Sequence, residues 1–203
     1  MMQMIMDSAV QVSVAMAIPF VVYLIRNKGV KGFFKSIGLF WPKEAGAWKT
    51  LGIWLLLTLG LMIIPIVIIA KADINSASGL AHDPIRAEGF TLVAMGMLFM
   101  KSMVQTSLSE EILFRGFIGK GLINVMGFKY GNIVQALIFG SIHGFAILQF
   151  GVVKGMFLVL SACLAGWIYG YLMEKKANGS MMIGWLLHGT SNFVSFFIFS
   201  FLL

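Results

Sequence analysis

Six stretches of this chain, residues 4–25, 51–70, 90–117, 131–150, 154–173 and 180–202, stay apolar for close to the ~20 residues that a helix needs to cross a hydrocarbon core. Apolar and polar residues do not alternate along them, so they read as helices rather than as strands of a barrel. The chain is 59% hydrophobic and 11% charged, with a mean hydropathy of +0.92. That is far more apolar than one soluble core requires. The expected fold is therefore all-α, a single integral membrane domain over residues 1–203 built as a polytopic transmembrane bundle of about six spanning helices. The third stretch is too long for one straight crossing and is expected to tilt, break or leave the bilayer. The first has neither a basic region before it nor a small-residue cleavage site, so it reads as a retained helix rather than a removed signal.

A net charge of +7 raises the question of nucleic acid, but the distribution of the charge answers it. The first connection holds Arg26, Lys28, Lys31, Lys35, Lys43 and Lys49. Placing it in the cytoplasm also puts Arg115, Lys120, Lys129, Lys175 and Lys176 there, leaving Lys71, Arg86 and Lys154 outside and Lys101 within the third span. Eleven cytoplasmic basic residues against three is the asymmetry of a membrane protein, whose cytoplasmic connections retain Lys and Arg. The partners implied are membrane lipids and not nucleic acid, and both termini are expected to be extracytoplasmic. The segment GFFKSIGLFW reads as an interfacial stretch, its lysines at anionic headgroups and its aromatics toward the acyl chains. Cys163 stands alone in an apolar run, which excludes an intrachain disulfide and fits a small packing residue.

An ionisable side chain at the centre of a bilayer costs ~2.5–3.5 kcal/mol even on mild scales, so each one needs a partner or a use. The third stretch contributes Glu110, Glu111 and Arg115 (SLSEEILFRG), the fourth His143 (ALIFGSIHGF), and the sixth His188 and Asn192 (WLLHGTSNF). Glu111 and Arg115 are four apart on one helical face, where the guanidinium neutralises and orients the carboxylate. Glu110 is rotated from Glu111 by about 100° and is free to face another helix or a water-filled cavity. His188 and Asn192 are again four apart, and Phe139 stands in the same relation to His143, beside which it is expected to pack. Glu110 and His188 each lie about eight residues, or ~12 Å, from the cytoplasmic ends of their segments, with His143 counted somewhat deeper.

Taken singly, His143 reads as a hydrogen-bonded packing residue and the Glu111–Arg115 pair as a structural clamp. Two of the chain's three histidines, two adjacent carboxylates and an asparagine recur at similar depth in three spans, and that recurrence points to one common site. His82, in the polar connection SGLAHDPIRAEG, reads as a solvated loop residue.

The order EEILFR from Glu110, FGSIH from Phe139 and HGTSN from His188 resembles the three separated motifs EExxxR, FxxxH and HxxxN/D of the CAAX prenyl endopeptidase and bacteriocin-processing (CPBP, Abi) family of intramembrane proteases. The resemblance covers roughly residues 105–195 and implies an endopeptidase acting on a membrane-associated or prenylated peptide or protein. It implies that Glu110 activates the attacking water, that His143 and His188 bind a metal or position that water, and that Asn192 stabilises the oxyanion. Glu111 and Arg115 match the positions that hold the first glutamate in place. With Glu110 as a third ligand, the two imidazoles form a known catalytic zinc set, so zinc is the expected cofactor.

Other intramembrane protease chemistries are excluded by inspection. The sequence has no HExxH helix, no GxGD with a second intramembrane aspartate and no GxSG. The expected function is hydrolysis near the cytoplasmic face, in peptide processing or bacteriocin self-immunity in a bacterial plasma membrane. The alternative is a non-enzymatic scaffold that regulates a sensor kinase or another membrane partner, which has no need of Glu110, His143 and His188 together. A proton relay or transporter would also bury Glu, His and Arg, but no broken-helix repeat supports it.

The orientation is open to test by cysteine labelling in intact cells. Lys43→Cys and Lys175→Cys are expected to react only from the cytoplasmic side and His82→Cys only from outside, with Cys163 silent. Labelling of the His82 position only from inside would invert the topology.

Overall fold

The computed structural model describes residues 1–43, 45–49, 51–70 and 83–202, so Lys71 and His82 lie outside the described residues. All regular elements among these residues are helical, as hydrocarbon demands of a backbone that must satisfy its own polar groups. In chain order they are α1 (Met2–Asn27), α2 (Phe33–Ser36), α3 (Ala45–Lys49), α4 (Leu51–Ala70), α5 (Asp83–Ala87) and α6 (Leu92–Phe99). Two π-helical stretches follow, Met100–Leu108 and Glu111–Gly119, then α7 (Lys120–Ser141), a 3₁₀ turn (Ile142–Gly144), α8 (Phe145–Phe150), α9 (Val152–Lys175) and α10 (Met182–Phe201).

Four helical stretches are long and apolar enough to cross a membrane: Met2–Asn27, Leu92–Phe150, Val152–Lys175 and Met182–Phe201. The second, at 59 residues, would measure close to ~90 Å if straight, and it folds back on itself. Its two arms and α4 pack with the other three stretches as an all-α polytopic bundle. Large apolar side chains cover the outside, where Leu92 is 89% and Leu148 90% exposed. A surface of that kind needs lipid rather than water.

The fold-back occurs at Gly127, with φ 74° and ψ 166°. This region of backbone space is essentially closed to residues with a Cβ. On either side the arms pair at equal sequence distance from the turn. Gly131 lies against the backbone of Ile123, Gly119 against the Gln135 side chain, and the Arg115 guanidinium over the Phe139 ring. A second turn, at Gly151 with φ 81° and ψ 165°, brings α9 back along α7. Gly155 then meets Ile147, Gly166 meets Ala136 and Gly170 meets Asn132. Asn132 Nδ2 donates to the Trp167 carbonyl (3.0 Å) and Gln135 Nε2 to the Gly166 carbonyl (2.8 Å), locking the two helices inside the bundle.

The third and fourth segments therefore differ from the sequence reading. Helix continues past Phe117 and resumes directly after Gly127, so Lys120 and Lys129 stand on helical arms rather than in an open connection. Counted in residues, His143 is as far from the Gly127 turn as Glu111. The interfacial stretch also departs from expectation in part. Phe34 and Trp41 are exposed, but Phe33 and Ile37 sink into a core with Ile112, Met173 and Met181 rather than toward lipid. The Met181 N–H donates to the Gly38 carbonyl (2.9 Å), fastening this segment across the turn between α9 and α10.

Both turns can be tested on backbone grounds alone, because a Cβ at Gly127 or Gly151 would meet no atom within 4 Å. Gly127→Ala and Gly151→Ala are each expected to cost about 1–3 kcal/mol, read as a lower thermal midpoint of the purified protein in detergent. The helical control Gly121→Ala, also in open space, should be neutral or stabilising. Equal midpoints for the turn variants and the control would contradict the assigned backbone.

Candidate active site

The two π-helical stretches meet at Ser109 and Glu110. π winding is rare and tends to occur at functional sites; it also leaves carbonyls that need partners from elsewhere. Trp185 Nε1 of α10 donates to the Met103 carbonyl at 2.7 Å. Ser109 Oγ donates to the carbonyls of Gln105 and Thr106 and accepts from Gln11 Nε2 of α1 at 3.1 Å. The stretch carrying both glutamates is thus held from α1 on one side and α10 on the other.

Glu110 and Glu111 point to different surroundings, as their rotation around the helix predicts. Glu111 is fully buried, with Oε1 3.3 Å from Arg115 Nη1 and 2.9 Å from His188 Nδ1. Arg115 is also fully buried. Its guanidinium lies 4.0 Å from the centroid of Phe139 and 5.1 Å from that of Tyr169, so two aromatic faces share with Glu111 the compensation of its charge. Glu110 stays partly exposed, its Oε2 3.6 Å from His188 Nε2. The imidazole of His188 therefore lies between two carboxylates, one behind it and one in front.

Aromatic rings fix both imidazoles. Tyr169 stacks on His188 with centroids 5.3 Å apart and planes at 22°. Phe139 meets His188 edge to face at 5.8 Å and His143 at 5.2 Å, bearing out the expected packing of Phe139 beside His143. His143 Nδ1 is 3.0 Å from the Phe139 carbonyl, which leaves its Nε2 for the cavity. Asn192 Nδ2 donates to Ser107 Oγ at 3.0 Å.

Glu110, His143, His188 and Asn192 all line one cavity of about 350 Å³. The rest of the wall is mainly apolar: Phe145, Ala146, Phe150, Leu158, Phe196 and Phe199, with Met62 and Pro65 of α4 closing one side. Glu111 and Arg115 lie behind the wall. Glu111 contacts Arg115 and His188, and His188 in turn faces Glu110, so the pair reaches the first glutamate through this imidazole. Sequence reading missed Tyr169 and Ser107. Nothing in the sequence marks Tyr169, whereas Ser107 stands three residues before Glu110 in the polar run QTSLSEE and was open to notice.

The zinc expectation depends on Glu110, His143 and His188 converging on one point. Each imidazole has one ring nitrogen engaged, by Glu111 or by the Phe139 carbonyl, and one left over, a pattern suited to metal ligation. However, among the described residues no three His, Cys, Asp or Glu side chains stand close enough together to hold an ion. As arranged, the residues do not form a three-ligand zinc set.

The buried clamp makes a prediction distinct from the cavity wall. Arg115→Ala leaves Glu111 without its cation and is expected to cost ~3–5 kcal/mol, seen as loss of folded protein on size-exclusion chromatography. Arg115→Lys should not restore stability fully, since an ammonium lacks the planar face that stacks on Phe139 and Tyr169. Wild-type yield and thermal midpoint in both variants would show that the pair is dispensable.

No curated protein and no solved structure matches the chain. A family model described as Type II CAAX prenyl endopeptidase Rce1-like matches residues 91–194. That stretch is just over half of the chain, beginning at the Thr91 cap of α6 and ending past Asn192, so all three motifs fall inside it. The protein belongs to the Rce1-like type II CAAX prenyl endopeptidase family.

Proposed function

We propose that this integral membrane protein is an endopeptidase whose water-activating residue is Glu110. The observation that carries the reading is the convergence of Glu110, His143, His188 and Asn192, from three separate segments, on one largely apolar cavity. There a carboxylate beside a bound water can serve as its general base, and a fixed amide donor can meet a developing oxyanion. Glu110 takes a proton from water as the water oxygen bonds to the scissile carbonyl carbon. The oxyanion develops toward the free N–H of Asn192, and the proton passes from Glu110 to the leaving amine as the C–N bond breaks. His143 and His188 hold the water and the substrate through their remaining ring nitrogens, with Glu111 keeping His188 in orientation.

The substrate in this reading is a membrane-associated or lipidated peptide or protein, cut near the face that carries the basic residues. His188 supports that depth, lying only six residues into α10 from the turn that follows Lys175 and Lys176. Both termini are then extracytoplasmic. Peptide processing or self-immunity against a secreted peptide in a bacterial plasma membrane fits the compact chain. A scaffold would have no use for a buried Arg115–Glu111–His188 chain ending at a cavity.

The decisive experiment incubates purified protein with a pool of membrane-associated peptides and follows products by mass spectrometry. Glu110→Ala, His143→Ala and His188→Ala are each expected to abolish cleavage while membrane insertion and elution volume stay as in wild type. Wild-type turnover by Glu110→Ala would sink the assignment. Chelation separates the two forms of the chemistry. Chemistry by protein groups alone survives a strong chelator, with no stoichiometric metal by elemental analysis. Loss of activity restored by zinc, with about one equivalent bound and lost in His188→Ala, would instead place an ion at Glu110, His143 and His188.

A further inference from the structure

Besides the Trp185–Met103 bond, two side-chain-to-side-chain hydrogen bonds cross between the π-helical stretches and α10. His188 Nδ1 is bonded to Glu111 Oε1 at 2.9 Å, and Asn192 Nδ2 donates to Ser107 Oγ at 3.0 Å. Ser107 and Glu111 are four residues apart on one helix, and His188 and Asn192 are four apart on the other, in the opposite sense. The bonds are therefore successive rungs of one antiparallel ladder, with Glu110 between them on the cavity side. Both acceptors, Glu111 and Ser107, are fully buried, whereas both donors line the cavity. The Glu111 rung sets the orientation of an imidazole, and the Ser107 rung has the same form.

A carboxamide needs such a rung more than an imidazole does. Its two ends are nearly equal in size and opposite in polarity, so a half-turn about its last torsion exchanges an N–H donor for a carbonyl oxygen. Turned one way, Asn192 presents a donor to a developing oxyanion; turned the other way, it presents a second negative oxygen. Sterics do not separate the two states, and the side chain stands in the first of them, its Nδ2 donating to Ser107 Oγ. From this we infer that Ser107 is a positioning residue, whose hydroxyl holds one N–H of Asn192 so that the other faces the oxyanion. The inference rests on the peptidase reading above and adds to it a residue outside the three motifs.

The test is a double-mutant cycle on the purified protein. Removing an oxyanion donor outright costs about 10²–10³ in kcat, so releasing its orientation should cost less. Ser107→Ala is expected to lower kcat by roughly tenfold with KM little changed, the signature of an interaction made in the transition state. In the Asn192→Ala background the same change should have almost no effect, because the group through which Ser107 acts is gone. Ser107→Thr, which keeps the hydroxyl, should recover most of the loss. Additive losses in the double variant, or a Ser107→Ala enzyme with wild-type kcat, would overturn the proposal while leaving the Glu110 assignment intact. If the wild type cleaves no peptide, the peptidase reading fails, and the rung is tested separately by NMR of the Asn192 side-chain amide. Slow exchange of one Nδ2 proton, accelerated in Ser107→Ala, supports the rung; equal exchange in both proteins overturns it.

Discussion

Arg115 is a fully buried cation in a helix bundle, and the placement of its neighbours follows from how its charge is met. Taking an ion out of water costs several kcal/mol, which one carboxylate recovers only with good geometry. Here Glu111 stands 3.3 Å away and the faces of Phe139 and Tyr169 close over the guanidinium. Each of these partners also touches His188, Glu111 by a hydrogen bond, Tyr169 by stacking and Phe139 by its edge. The groups that neutralise the arginine are thus the groups that fix the imidazole. Stability of the bundle and alignment of the cavity wall are coupled through one cluster.

That cluster draws on four helical segments, and two turns bring them into register. Gly127 folds the motif-bearing helix against α7, which puts Arg115 over Phe139. Gly151 folds α9 back onto α7, which delivers Tyr169. Small residues at the crossings allow the close approach that hydrocarbon-embedded helices need, since lipid gives no hydrophobic drive toward association. The buried amides of Asn132 and Gln135 then tie α7 to α9 through backbone carbonyls, a fixed joint directly beneath the site.

The cavity combines conditions that favour hydrolysis inside a membrane. Its wall is mainly apolar and rich in Phe and Ala, so charges are poorly screened within it. Three of its polar side chains each have one hydrogen-bonding position held from behind and another presented to the cavity. His143 is held by the Phe139 carbonyl, His188 by Glu111 and Asn192 by Ser107. Pre-orientation of this kind is the form of electrostatic stabilisation that costs no reorganisation during reaction.

Much of this protein was legible in its sequence. The long apolar runs dictated membrane helices, because no other use of such segments satisfies both side chains and backbone. Helical spacing separated Glu110 from Glu111 and paired Glu111 with Arg115, and the motif order identified the four residues that line the cavity. Periodicity is a property of a single helix, and these conclusions needed nothing more. What lies between helices had to come from the tertiary structure. Tyr169 becomes a partner of His188 only because Gly151 reverses the chain. His143 and Glu111 stand equally many residues from the Gly127 turn, which no apolar boundary marks. Phe33 and Ile37 looked suited to lipid, yet they are buried against Ile112, Met173 and Met181, since an apolar side chain is equally satisfied by hydrocarbon and by protein. Hydrophobicity says that a residue leaves water; only packing across the bundle decides what it meets instead.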